Sequence, residues 1–160
     1  MNDVSVLARQ VVQALREKQK TLSVMESCTG GLLSSLLTDV EGASEVFPCG
    51  YVTYSNAAKL AAGVDAEVLA QSGVYSAPCA EAMARAAKAA AQTDCAVGVT
   101  GTLGRRDPAN ADSLPGEVFF CLLCGETVIA ERLTLDAALP RPEAKLRTAE
   151  AVLSRLLSLL

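Results

Sequence analysis

The chain has 160 residues, of which 51% are hydrophobic and 20% charged, a balance that suits one globular domain with a substantial core over 1–160. Its net charge of -4 argues against a nucleic-acid partner, because affinity for a phosphate backbone comes from clustered Lys and Arg. There is no histidine, and no apolar run approaches the roughly 20 residues that cross a bilayer, so neither histidine-based catalysis nor a membrane association is expected.

The chain starts without the basic and apolar blocks of a secretory signal, which makes a cytoplasmic location the expectation. Val4, Leu7, Ala8, Val11, Val12 and Leu15 recur at helical spacing and predict an amphipathic helix. Thr21 to Met25 reads as a short buried strand. Gly30 to Leu37 reads as a helix entered directly from it, so "ESCTGG" sits at a strand-to-helix turn. A second strand is expected at Gly50 to Tyr54, followed by a helix that begins at Ala57 and is capped by Ser55 or Asn56. Ser76 and Pro78 open an alanine-rich helix that reaches Gln92. Cys95 to Val99 is a buried strand by its apolar run, with Thr100-Gly101 as a turn. "GRRDPANADSLPG", Gly104 to Gly116, is polar and aperiodic and predicts a long loop, a length that in a compact domain is usually functional. Glu117 to Leu123 and Thr127 to Leu133 read as strands joined by a turn at Gly125. Pro142 starts a last helix with Leu146, Ala149, Leu153, Leu156, Leu157 and Leu160 on one face, which would serve an interface between copies as readily as a core.

This order predicts an α/β fold, a three-layer α/β/α sandwich around a mixed sheet. Ligands in such sheets gather at loops beyond the strand ends. Three loops qualify: Ser27 to Gly31, Ser55 to Lys59, and Thr100 to Gly116. They offer Cys28, Thr29, Gly30, Gly31, Asn56, Gly101 and Arg105 as candidate substrate contacts. The six cysteines are scattered among apolar residues and read mostly as reduced and buried. Cys121 and Cys124 lie in a strand-like run, where positions three apart face opposite sides, and no partner set completes a metal site.

A serine hydroxyl needs a base, and without histidine that base has to be another group. Lysine serves when its pKa is lowered, and Lys59 stands in the first turn of a helix, whose amino terminus disfavours added positive charge. Tyr54 could orient the proton, and the amides of Thr29 and Gly30 could hold an oxyanion. The same residue types also describe an ordinary helix cap and a solvated lysine.

The stretch "ESCTGGLLSSLLTDVEGASEVFPCGYVTYSNAAK" closely resembles the signature of the CinA C-terminal domain family, whose enzymatic members are nicotinamide-nucleotide amidohydrolases. The likeness extends more loosely through "GVYSAPCAEAMARAA" and "VGVTG", so it covers nearly the whole chain, which looks like a stand-alone version of this domain. The resemblance implies Ser27 as nucleophile and Lys59 as general base, with supporting roles for Ser44, Tyr54, Thr100 and Arg141. It implies hydrolysis of the carboxamide of nicotinamide mononucleotide (NMN), a small-molecule partner, through an acyl-enzyme and without metal or cofactor. Cys28 competes with Ser27 as nucleophile on intrinsic reactivity, and the resemblance favours Ser27. The chain departs from the family where a glycine-rich loop and a "KPVG" element are usual: it reads "TGTLGRRDPANADSLPG", in which Arg105 and Arg106 could clamp a phosphate. The acidic residue usual before the lysine is also replaced. A divergent amidase, or a nucleotide-binding module without turnover, therefore stands beside the NMN reading.

Overall fold

Helix α1 (Val4–Glu17) forms where the apolar periodicity predicts it; Asp3 caps it by accepting from the Ser5 amide, and Leu7, Ala8, Val11, Val12 and Leu15 are buried. The computed structural model describes residues 3–160, so the first two positions of the domain expected over 1–160 lie outside it. Next come β1 (Leu22–Glu26), α2 (Leu32–Thr38), a short 3-10 turn (Ala43–Glu45), β2 (Cys49–Val52), α3 (Asn56–Ala61), α4 (Ala66–Ser72) and α5 (Ala77–Ala91). The chain closes with β3 (Cys95–Thr102), β4 (Glu117–Cys124), β5 (Thr127–Thr134) and α6 (Arg141–Leu159).

The strands make one sheet in the order β2-β1-β3-β4-β5, in which β1 pairs in parallel with β2 and β3, and β4 pairs antiparallel with both β3 and β5. Every residue of β1 and β3 is buried, as parallel strands covered on both faces require. Helices α1, α2 and α6 cover one face around Leu22, Val97, Phe120 and Leu122; α5 covers the other around Met25, Met83, Ala84 and Cys121. Each large apolar side chain buried here contributes about 1.5–3 kcal/mol. The predicted α/β/α sandwich with a mixed sheet is the observed architecture.

Several predicted boundaries are corrected. The second helix begins at Leu32, because Gly30 and Gly31 have φ of 59° and 96° and belong to the turn. Thr100 and Gly101 are not a turn: β3 continues through Thr102, and Gly101 is where the β4 backbone comes too close for a side chain. Helix α4 was not anticipated; it buries no residue completely and so carries no clear apolar period. Leu146 is 40% exposed, and Ala144, Thr148, Ala149, Val152, Leu153 and Leu156 form the buried face of α6. Cys95 and Cys124 stand directly opposite in the β3–β4 register and are joined as a disulfide, so reduced cysteines are Cys28, Cys49, Cys79 and Cys121. Cys121 and Cys124 do face opposite layers.

Candidate active site

The carboxyl ends of β2, β1 and β3 lie side by side, since Glu26 pairs with Val52 on one side and Val99 on the other. Ser27 is the next residue along, and its N–H donates to the Val99 carbonyl at 3.0 Å. The chain then reverses through two consecutive left-handed glycines, a conformation that costs a residue with a Cβ about 1 kcal/mol or more. The Gly30 N–H, expected to face an oxyanion, is taken by the Ser27 carbonyl at 3.0 Å. The remaining amides of this turn are those of Cys28, Thr29 and Gly31.

Lys59 reaches the same point from α3. Ser55 caps that helix by accepting the Ala58 N–H at 3.0 Å, which settles the choice between Ser55 and Asn56. Lys59 is 2% exposed, and its Nζ donates to Ser27 Oγ at 3.0 Å and to the Thr53 carbonyl at 3.1 Å. Burial pushes its pKa below the ordinary 10.5, with weaker opposition from the acidic groups of Cys79, Cys28 and Asp107. The direction matches the expectation, while the cause is desolvation rather than the helix end. Among the described residues no carboxylate forms an ion pair with Lys59.

A cavity of about 350 Å³, within the usual range for small-molecule sites, opens at Ser27, and Lys59 lies behind Ser27 outside its lining. Its walls include Ser27, Cys28, Tyr54, Gly101, Arg105 and Arg141, and Arg141 Nη2 donates to Tyr54 Oη at 2.7 Å. The Cys28 thiol is buried, which pushes its pKa up to about 12 and leaves it protonated and unreactive near neutrality.

Other expected contacts are used differently. Thr29 Oγ1 donates to Glu26, and Thr100 Oγ1 donates to the Val74 carbonyl at 2.6 Å, so both hydroxyls have internal partners. Asn56 donates to Asn110 at 2.9 Å and tethers the long loop to α3. Gly31 serves as the residue before α2. Ser44 is exposed in the 3-10 turn, whose following residue Val46 accepts from the Leu22 amide at the start of β1. The length of β1, roughly 16 Å, therefore separates it from Ser27 within this chain.

Sequence reasoning missed four contributors. Glu26 is fully buried and anchors the turn; a lone carboxylate ending an apolar strand was the available signal. Lys145 lies beside Gly30, its Nζ 3.4 Å from where a Cβ there would sit, but nothing in the α6 sequence distinguishes it from a surface lysine. Tyr75 and Asp107 line the cavity and bond to each other at 2.5 Å, joining residues 32 apart that no local pattern relates.

A family model described as the CinA C-terminal domain matches residues 4–160. A CinA-like protein of Syntrophotalea carbinolica is 44% identical over 72% of this chain and 28% of its own length. The nicotinamide-nucleotide amidohydrolase PncC of Escherichia coli K12 is 41% identical over 74% of this chain and 72% of its own. This chain spans only 28%, 27% and 28% of the first three curated relatives it matches. Among solved structures, the competence/damage inducible protein CihA from Agrobacterium tumefaciens superposes with a TM-score of 0.90 at 31% identity, covering 99% of this chain and 96% of that one. A CinA superfamily protein from Escherichia coli gives a TM-score of 0.91 at 26% identity, covering 99% of this chain and 91% of that one.

Proposed function

The chain belongs to the CinA C-terminal domain family, and from that premise we propose that it is an amidohydrolase that converts NMN to nicotinate mononucleotide and ammonia. The observation that carries this reading is the 3.0 Å hydrogen bond between Lys59 Nζ and Ser27 Oγ, in a buried setting that favours the neutral amine. That distance is within reach of general-base catalysis.

In the proposed cycle, Ser27 Oγ attacks the carboxamide carbon and its proton passes to Lys59 Nζ. The amides of Cys28 and Thr29 hold the oxyanion. The C–N bond then breaks, and Lys59 returns the proton to the departing nitrogen, which leaves as ammonia. Water attacks the Ser27 ester and gives a proton to Lys59, which passes it to Ser27 Oγ as the acyl C–O bond breaks, and the free acid departs. No step calls for a metal or cofactor. Arg105, Arg106 and Arg141 around the cavity suit a substrate phosphate, since guanidinium pairs well with phosphate oxygens.

A different amide is the second reading, favoured by Asp107, whose carboxylate stands in a cavity wall meant for an anion. Measuring ammonia release from NMN against a panel of carboxamides decides between them. NMN should give the highest kcat/KM, and a higher value for an uncharged amide would move the assignment.

A further inference from the structure

Among the described residues, Glu26 and Lys59 are the buried charged side chains, and the chemistry above uses Lys59 alone. Glu26 is 0% exposed and immediately precedes Ser27. Its Oε2 accepts from Thr29 Oγ1 at 2.6 Å and from the Leu33 amide at 3.0 Å. Its Oε1 accepts from the Ser34 amide and the Ser34 hydroxyl, both at 2.8 Å. The Leu33 and Ser34 amides belong to the first turn of α2, where no carbonyl within the helix is available. Gly31, which precedes that helix, has no side chain to cap it. One carboxylate thus ties the end of β1 to the start of α2 and holds the middle of the turn between them, while its own carbonyl accepts from the Thr53 amide at 2.8 Å. A buried carboxylate is tolerated when its lone pairs are filled, and here four donors fill them.

We infer that Glu26 is a positioning residue for Ser27: it fixes the turn so that Ser27 Oγ stays within hydrogen-bond reach of Lys59. The inference rests on the reading of Ser27 as the nucleophile. Because reacting groups lose rate steeply when displaced, a loosened turn should cost rate more than substrate binding.

The test is the rate at which a fluorophosphonate modifies Ser27, followed by mass spectrometry. In that reaction Ser27 Oγ bonds to phosphorus, fluoride leaves, and the hydroxyl proton passes to Lys59. Glu26→Gln keeps the volume but turns an N–H donor toward donors already present, and should slow modification about 10- to 100-fold. Glu26→Asp should recover part of the loss, and Thr29→Val, which deletes one of the four bonds, should slow the reaction several-fold. Each rate is compared with the folded fraction measured by circular dichroism. An unchanged rate in folded Glu26→Gln, or in Thr29→Val if the former does not fold, overturns the proposal. So does a loss that only tracks the unfolded fraction. An unmodified wild-type protein removes Ser27 as nucleophile and this inference with it, whereas modification without ammonia release from NMN removes the substrate alone and leaves Glu26 its role.

Discussion

A lysine buried without a carboxylate partner is costly, and the cost depends on pH. The unfolded chain carries Lys59 with its ordinary pKa of 10.5, whereas burial lowers it in the fold. Between the two values the unfolded state binds the additional proton, so stability rises with pH across that window and is lowest below the folded value. Lys59→Met is accordingly expected to abolish turnover yet raise Tm near neutral pH, with a gain of about 1 kcal/mol, or about 2–4 °C. Thermal melts of both proteins check this, and a lower Tm for the variant would count against it. Beside Lys59, the Cys28 thiol with a pKa pushed to about 12 should resist alkylation. Iodoacetamide at about pH 8 should leave activity intact; inactivation tracking modification of Cys28 would reopen the choice of nucleophile. Ser27 and Lys59 were legible because a serine turn without histidine leaves few bases. Glu26 was not, because its role exists only once α2 folds back onto its carboxylate.

At the level of elements, the site depends on two close approaches. The first is β3 against β4. A Cβ on Gly101 would lie 2.6 Å from the Glu117 carbonyl oxygen and 2.7 Å from the Val118 Cα, both backbone atoms. Gly101→Ala should cost about 1–3 kcal/mol in denaturant unfolding, and a neutral result would mean the strands part easily. The sequence suggested a turn here because Gly after Thr is also how turns are written; only the register of β4 reveals the crowding. The second is the loop after β3, which predicted itself by composition but not by its anchors. Asp107 accepts from Tyr75 at 2.5 Å and from Asn110 at 2.6 Å, holding the segment that carries Arg105 and Arg106 against the cavity. A hydrogen bond to a charged group contributes about 1.5–3 kcal/mol, so Tyr75→Phe should raise KM by roughly 10- to 150-fold with little change in kcat. Steady-state kinetics test this, and an unaltered KM would show that the loop holds itself.

For the whole molecule, the alternation of strands and helices was enough to predict the layers, because each apolar run needs a covering face. Strand order was not predictable in this way: nothing local says that β1 lies between β2 and β3, yet that placement brings Ser27 beside Lys59 and puts Ser44 at the other end of the sheet. Nor could composition place cations, since a chain of net charge -4 gathers Arg105, Arg106 and Arg141 around one cavity. The fold thus sets a buried amine, a serine and three arginines at the carboxyl end of the parallel strands. Ammonia release from NMN between about pH 6 and pH 10 tests that arrangement most directly, with Ser27→Ala and Lys59→Ala alongside. If Lys59 activates Ser27, the rate should climb as Lys59 loses its proton and fall by about three orders of magnitude or more in either variant. A flat pH profile, or a variant that retains the wild-type rate, would contradict it.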